Sequence, residues 1–299
     1  MGAMELIGVE AASPVLGEVR EQYGAAFDAA ITRNVADALE EDVGTGDETG
    51  RLVSADEMHD ARIIVREPAV LCGVLWFDGV MRGVDPRIEV HWHYREGDLM
   101  TPDSLVCSLR GPARALLTAE RSAMNFLQLL SGVASATRRY VDATAHTAAR
   151  IVDTRKTLPG LRLAQKYAVR VGGGANQRLA LYDGILIKEN HIAAAGGVGA
   201  ATDAALALNA GVPVQVEVET LAELDEALAH GATSILLDNF PIDMMRDAVR
   251  ITAGRAVLEA SGGVNFDTVR AIAETGVDRI SIGALTKDVR AADYSMRIV

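Results

Sequence analysis

The 299-residue chain is acidic, with 29 basic and 41 acidic residues and a formal net charge of −12. Proteins that bind the nucleic-acid backbone present a basic domain or stripe, so this balance argues against a nucleic-acid partner. Apolar residues make up 49% of the chain, which is ample for the buried core of one large or two ordinary domains.

Cysteines and apolar segments indicate a protein of a reducing compartment that does not cross a membrane. Cys72 and Cys107 lie in apolar, strand-like runs without metal-ligand spacing. The best membrane candidate, 122–137, is bounded by arginines and falls short of the ~18–20 apolar residues that a span needs. The first residues show no basic segment followed by an apolar one, as a secretion signal would. We therefore predict a cytoplasmic protein.

The first 130 residues have the pattern of an α+β domain. A helix-like opening ends near "ALEEDVGTGDETG", and the runs "ARIIVREPAVLCGV", "IEVHWHY" and "SLVCSLRGP" are typical of short strands. We predict that residues 1–130 form a domain with a mostly antiparallel sheet, to which the C-terminal segment 285–299 returns.

One segment of this domain also permits a different interpretation. The stretch "YREGDLMTPDSLVCSLRG" resembles the half-repeat of biotinyl and lipoyl carrier domains. However, the first lysine of the chain is Lys156, so this region has no residue to which biotin or lipoate could be attached. A carrier protein is therefore the weaker alternative.

From about residue 150, strand-like runs alternate with helix-like segments. The runs are "RIVD" (150–153), "GILIK" (184–188), "VPVQVEVE" (212–219), "SILLD" (234–238), "RAVLEAS" (255–261) and "DRISIG" (278–283). This alternation predicts parallel βα units. We expect a βα-barrel over 131–284, with an open doubly wound sheet as the alternative.

Polar residues follow each of these runs, where a barrel gathers its active site. In "VQVEVE" the side chains alternate, so Glu217 and Glu219 would face the cavity unless this is an amphipathic edge strand. Glu217 is the nearer of the two to the centre of the run. Together with Asp238 on the next run, it could bind Mg²⁺ through carboxylate oxygens. The six histidines show no spacing typical of a zinc site.

A basic region stands out within the acidic chain. Between positions 150 and 190 there are eight basic and three acidic residues, and "DTRKTLPGLR" opens with Arg155 and Lys156 directly after a strand-like run. Such a region indicates a small anionic ligand, although a solvated helix face with salt bridges would give the same charge pattern.

The stretch "DTRKTLPGLRLAQKYAVRVGGGANQRLALYDGILIKENH" (153–191) resembles the signature of the quinolinate phosphoribosyltransferase family. The resemblance continues through "ERSAMNFLQLLSGVASAT", "VEVET", "LLDN", "EASGGV" and "TGVDRISIGALTK", in the family's order. It implies a sandwich-like N-terminal domain and an incomplete βα-barrel. It also implies decarboxylating transfer of phosphoribose from phosphoribosyl pyrophosphate to quinolinate, in the biosynthesis of NAD.

The resemblance also implies a role for each matching residue. Arg155, Gln177 and Arg178 would bind quinolinate, and Lys156 and Lys188 would bind phosphoribosyl pyrophosphate as catalytic cations. Glu217 and Asp238 would hold ribose hydroxyls and Mg²⁺. The 5′-phosphate would lie against Ser261, Gly262, Gly263 and Gly283, with Lys287 as an auxiliary contact. These assignments agree with physical chemistry, since Arg suits planar carboxylates and Gly-rich turns present N–H groups to anions.

The resemblance has a specific consequence at Gln177, Lys287 and Arg121. Gln177 stands where the family often has His, so a role for an imidazolium is in doubt there. Lys287 also stands where the family often has His, and would provide a cation of a different kind. Gln177 favours one alternative, a related enzyme acting on another heterocyclic acid; a non-catalytic binding protein is the more distant alternative. Arg121 matches an Arg that reaches quinolinate across a homodimer interface, although a pair with Glu120 or another carboxylate would also explain it. We place Arg121 near the start of a helix whose Ala123, Phe126, Leu127 and Leu130 form an apolar stripe.

Overall fold

The computed structural model describes residues 11–299. The prediction that the chain opens without a secretion signal concerns residues outside that range. Of the helices between residues 11 and 299, none has the length together with the apolar character that a bilayer crossing demands.

Helices and strands alternate along the described chain. The first part contains α1 (Leu16–Tyr23), α2 (Ala25–Asp42), β1 (Met58–Val65), β2 (Ala69–Val70), α3 (Val74–Val84), β3 (Glu89–Trp92), β4 (Leu99–Met100), β5 (Leu105–Pro112) and α4 (Ala113–Thr144). The second contains β6 (Arg150–Val152), α5 (Arg162–Val171), β7 (Ile185–Ile187), α6 (Glu189–Ala195), α7 (Val198–Ala207), β8 (Val214–Val218), α8 (Leu221–Ala229), β9 (Ser234–Asp238), α9 (Ile242–Thr252), β10 (Val257–Ser261), α10 (Val269–Ala273), β11 (Arg279–Ser281), α11 (Ala284–Lys287) and β12 (Tyr294–Ile298).

The chain forms two compact units whose division differs from the predicted one. The first unit runs to Arg138 and also contains Leu158–Gly173 and Asp288–Val299; the second contains Arg139–Thr157 and Gly174–Lys287. The boundary therefore lies within α4. Helix α5 falls within the second domain that the sequence predicts (131–284), but it belongs to the first unit.

An antiparallel sheet of order β12-β1-β5-β3 forms the centre of the first unit. In β1 the residues alternate, so Ala61, Ile63 and Val65 are buried while their neighbours are more exposed. The C-terminal strand β12 pairs with β1 from Ala61↔Ile298 to Val65↔Tyr294, so the chain end does return to this sheet.

Aromatic packing explains why α5 belongs to the first unit. The ring of Tyr167 lies 5.3 Å from that of Phe27 and 5.8 Å from that of Trp76, and all three side chains are buried. The Tyr167 hydroxyl donates to buried Glu96, whose carboxylate also accepts the backbone N–H groups of Gly73 and Val74 at the start of α3. These contacts link sequence-distant residues, which is why the local pattern of residues 162–171 did not reveal them.

The second unit is built on a parallel sheet of order β6-β11-β10-β9-β8-β7. All six strand-like runs predicted from the sequence form strands of this sheet. From β7 to β11 each strand lies beside the next one in the chain. A doubly wound sheet would reverse direction at a switch point, so the strand order excludes that alternative.

The sheet is an incomplete barrel, as expected. The first strand, β6, pairs with the last, β11, which is the closure typical of a barrel. The other edge of β6 carries one isolated bridge, Val152↔Ala175, and β6 does not pair with β7. Because the strands are parallel, their carboxyl ends lie at the same edge of the sheet.

Candidate active site

A cleft of about 460 Å³ lies at the carboxyl ends of the strands, entirely within the second unit. Both acidic and basic side chains face it. The lining residues are Thr154, Arg155, Lys156, Gln177, Arg178, Leu186, Lys188, Gln215, Glu217, Leu236, Asp238, Asn239, Glu259, Ser261, Gly262 and Ser281.

A buried aspartate joins the two basic segments of the cleft. Asp153 directly follows β6 and is fully buried. Its carboxylate accepts the Asn176 side-chain amide at 2.7 Å and the Gln177 backbone N–H at 2.9 Å. These bonds hold the segment before Arg178 against the end of β6, so residues separated by more than twenty positions in sequence line the same cleft.

Two guanidinium groups lie close enough to influence each other. Partial burial and the positive charge of Arg155 lower the pKa of Arg178, while Asp183 acts in the opposite direction. Arg178 also donates from Nη1 to the Gly184 carbonyl at 2.8 Å, which fixes its direction. Two neighbouring guanidinium groups in one cleft are suited to binding an anionic ligand.

Lys188 and Glu217 form an ion pair across neighbouring strands. The Lys188 ammonium lies 3.0 Å from Glu217 Oε2, and the carboxylate is largely buried while the lysine side chain is about half exposed. The backbone N–H of Lys188 donates to His191 Nδ1 at 3.1 Å, which holds the residue at the start of α6. The pair therefore presents its cation toward the open side of the cleft.

Lys156 is held at the edge of the cleft by Gly283 and α11. The Thr286 hydroxyl donates to the Lys156 carbonyl at 2.8 Å. A Cβ atom at Gly283 would lie 3.0 Å from Lys156 Cδ, so the absence of a side chain at 283 leaves room for the lysine chain. Gly283 thus contributes to the site through Lys156, although it is not among the lining residues.

The glycine turn after β10 fits closely against the end of β9. Gly262 has φ +94°, and a Cβ atom there would lie 2.1 Å from Asn239 Oδ1 and 2.9 Å from the Asn239 backbone nitrogen. Gly263 also has a positive φ, +60°, but a Cβ there would meet nothing within 4 Å. Only the first glycine is therefore required by packing as well as by backbone conformation.

Replacement of Gly262 by alanine is expected to lower the free energy of unfolding by about 1–3 kcal/mol or more, because the strain of the left-handed backbone adds to the steric clash with Asn239. In the matched variant Gly263→Ala only the left-handed backbone conformation is unfavourable, and the expected loss in the free energy of unfolding is about 1–2 kcal/mol. Urea unfolding of both variants measures the difference. Equal losses would contradict the assignment of Gly262 to a close-packed turn.

The structure brings together nine of the residues singled out in sequence: Arg155, Lys156, Gln177, Arg178, Lys188, Glu217, Asp238, Ser261 and Gly262. Gly263 and Lys287 are exposed and do not line the cleft.

Arg121 lies in the first unit, on the exposed side of α4, whose Ala123, Leu127 and Leu130 are fully buried. It is the ninth residue of that helix rather than near its start, because α4 begins at Ala113. Within residues 11–299 the predicted pair with Glu120 is not formed.

Five polar lining residues were not identified as site residues from the sequence: Thr154, Gln215, Asn239, Glu259 and Ser281. Glu259 is fully buried on β10, and Gln215 is buried on β8. The alternation applied to "VQVEVE" also places Val257, Glu259 and Ser261 of "VLEAS" on one face. Applying it to β10 would therefore have identified Glu259.

Comparison with known proteins identifies the family of the chain. The family model described as quinolinate phosphoribosyl transferase, C-terminal domain, matches residues 133–297, and the model of the N-terminal domain matches 47–131. A curated relative from Mycobacterium leprae, nicotinate-nucleotide pyrophosphorylase [carboxylating], is 43% identical over 279 residues, covering 90% of this chain and 97% of the relative. A probable enzyme of the same name from Bacillus subtilis is 40% identical over 259 residues, covering 86% and 90%.

A solved structure gives the same result for the fold. The nicotinate-nucleotide pyrophosphorylase from Francisella tularensis superposes with a TM-score of 0.88 at 42% identity, covering 91% of this chain and 96% of that one. Sequence, fold and the polar residues of the cleft point in one direction: the chain belongs to the quinolinate phosphoribosyl transferase family.

Proposed function

We propose that the cleft transfers the phosphoribosyl group of phosphoribosyl pyrophosphate to quinolinate, with release of CO₂ and pyrophosphate and formation of nicotinate mononucleotide. The observation that carries the proposal is the position of Arg155 and Arg178 in the same cleft as Lys156 and Lys188. Two guanidinium groups suit a planar dicarboxylic acid, and two ammonium groups suit a polyphosphate.

The chemistry needs positioning more than a protein nucleophile. The pyridine nitrogen donates its electron pair to C1 of the ribose, and the C1–O bond breaks with its electron pair on pyrophosphate. The adjacent carboxylate then leaves as CO₂, its bonding electrons pass to the cationic ring, and the ring carbon takes a proton. Carboxylates of the lining stabilise the positive charge on the ribose carbon, while the basic residues hold both reactants in line.

The acidic residues fit Mg²⁺ as the metal of this reaction. Glu217 and Asp238 lie at the ends of the neighbouring strands β8 and β9 and offer carboxylate oxygens to the cleft. Within residues 11–299 there is no cluster of three or more His, Cys, Asp or Glu residues suited to a metal. Mg²⁺ does not need one, since it is commonly bound by one or two carboxylates plus substrate phosphates and water. When bound, it would neutralise charge on the pyrophosphate.

We also propose that the protein acts as a homodimer in which Arg121 serves the site of the other subunit. Its side chain is exposed, and among the residues described it has no hydrogen-bond or ion-pair partner. The other side of α4 is buried in the first unit, so this face is available to a second copy. An unpaired arginine suits recognition of a carboxylate.

One assay tests the reaction itself. The protein is incubated with quinolinate, phosphoribosyl pyrophosphate and Mg²⁺, and CO₂ and nicotinate mononucleotide are measured. Equal amounts of both products are expected. Nicotinate, which lacks the second carboxylate, serves as the competing substrate. Preference for nicotinate, or consumption of phosphoribosyl pyrophosphate without release of CO₂, would overturn the proposal.

Replacement of Arg155 or Arg178 by lysine is expected to weaken quinolinate binding by roughly 100-fold or more, because a lysine cannot donate the paired hydrogen bonds of a guanidinium. Binding of phosphoribosyl pyrophosphate should change much less. Calorimetric titration of each variant with each substrate measures both values. Equal losses for the two substrates would contradict this division of roles.

A further inference from the structure

Three side chains of the cleft form one hydrogen-bond network: half-buried Gln177 and the buried Gln215 and Glu259. Gln177 Nε2 donates to Gln215 Oε1 at 3.0 Å and to Glu259 Oε2, and Gln215 Nε2 donates to the same Glu259 oxygen at 3.1 Å. Glu259 is fully buried and Gln215 is 8% exposed. Both amide hydrogens of Gln177 therefore have protein acceptors.

The direction of these bonds is set by Glu259. An ionised carboxylate only accepts hydrogen bonds, so it turns the NH₂ groups of both glutamines toward itself. The carbonyl oxygen of Gln177 then points the other way, where it accepts the backbone N–H of Arg178 at 3.0 Å. The chain of bonds thus runs from the carboxylate, through one amide, to the backbone of a residue expected to bind the acid.

The carboxylate is retained despite a cost in stability. Glu259 Oε1 is buried, and among residues 11–299 it has no hydrogen-bond partner. Buried polar groups are normally satisfied, and a neutral amide is cheaper to bury than a charged carboxylate. A glutamine would fill the same space. The presence of glutamate therefore points to its acceptor-only chemistry.

We propose that Glu259 is a positioning residue that acts through Gln177 to fix Arg178, and so sets the affinity of the cleft for the dicarboxylic acid. This inference rests on the proposed function for the identity of the acid. It assigns Gln177 an orienting role in place of the direct contact with quinolinate that the resemblance implied, since both of its amide hydrogens are already bonded within the protein.

The variant Glu259→Gln tests the acceptor-only argument with little change in shape. Its amide can present either an oxygen or an NH₂ group to Gln177, and in the second case the NH₂ of Gln177 would face the N–H of Arg178. We expect KM for quinolinate to rise about 10-fold, the scale of one misdirected hydrogen bond. KM for phosphoribosyl pyrophosphate and kcat should stay close to wild type, and Tm should not fall, because a neutral amide costs less to bury than a carboxylate.

The matched control is Glu274→Gln, which removes an exposed carboxylate bonded to Arg270 and His146 outside the cleft. It should leave both KM values unchanged, because exposed ion pairs contribute little. An unchanged KM for quinolinate in Glu259→Gln, or an equal rise for both substrates, would overturn the inference.

A double-mutant cycle separates action through Gln177 from direct contact with the acid. If Glu259 acts through Gln177, the variant Gln177→Leu/Glu259→Gln should bind quinolinate no more weakly than Gln177→Leu alone. If the two substitutions instead weaken quinolinate binding by factors that multiply in the double variant, Glu259 acts independently of Gln177, against the inference.

A crystal structure of Glu259→Leu gives a readout that does not depend on the acid. The Gln177 side chain should turn away and the backbone of Arg178 should shift. An unmoved Arg178 would overturn the positioning role, whereas failure of the wild-type protein to bind quinolinate would overturn only the proposed function.

Discussion

Glu217→Gln and Asp238→Asn are each expected to lower turnover of quinolinate by at least about 100-fold, with the protein still folded. Both changes keep the shape of the side chain and remove a charged oxygen of the proposed Mg²⁺ site, at the end of β8 or β9. Stabilisation of a charged transition state by a metal amounts to several kcal/mol, and each 1.36 kcal/mol is about tenfold in rate. Steady-state rates with saturating substrates measure the loss, and Tm checks the fold.

Removal of the metal should have the same effect as removal of its ligands. EDTA is expected to abolish turnover of the wild-type protein, and excess Mg²⁺ should restore it. Asp243→Asn is a suitable control, because this exposed aspartate pairs with Arg246 on α9, outside the cleft. Turnover in EDTA close to the untreated rate would contradict the metal assignment and leave the carboxylates a role toward the ribose alone.

The parallel sheet could be predicted because its signals are local. Each strand is a short apolar run with a polar residue at its carboxyl end, and each helix between them has its own pattern and stop. Parallel strands bring their ends to one edge, so Lys188, Glu217 and Asp238 could be placed in one site without any knowledge of distances. The same alternation separated the two faces of "VQVEVE": Gln215 and Glu217 line the cleft, whereas Val216 and Val218 are buried and do not line it.

The end of β8, in contrast, could not be predicted from the alternation. The carboxylate face of "VQVEVE" was expected to continue to Glu219, but β8 ends at Val218. The capping box of α8 explains the difference: the Thr220 hydroxyl accepts the Glu223 N–H at 3.2 Å, and the Glu223 carboxylate accepts the Glu219 N–H at 2.7 Å. Glu219 is therefore exposed, outside the cleft.

Contacts between residues that lie far apart in the sequence were the hardest to predict. Helix α5 has an amphipathic pattern that suits either unit, and only the contacts of Tyr167 with Phe27 and Trp76 assign it to the first. Likewise, nothing in "GGGANQR" shows that the amide of Gln177 is bonded to Glu259, which lies 82 positions away. A family motif indicates which residues gather at a site, while the hydrogen-bond partners of each must come from the structure.

A mixture of two inactive variants is expected to recover about a quarter of wild-type activity, if Arg121 works across the proposed dimer. Lys188→Ala damages the site of its own subunit, whereas Arg121→Ala would damage the site of the partner. In a mixed dimer both defects therefore fall in one site and the other site is intact. Random reassociation makes about half of the dimers mixed, each with one good site of two, which gives about one quarter.

The experiment unfolds an equal mixture of the two variants, refolds it and measures the release of CO₂ from quinolinate. Each variant refolded alone is the control and should be nearly inactive. Distinct affinity tags on the two variants show whether mixed dimers have formed. If mixed dimers are present and the activity stays at the level of the separate variants, Arg121 does not act on the other subunit. The exposed, unpaired position of Arg121 on α4 would then require another explanation, such as binding of an acidic partner to that face.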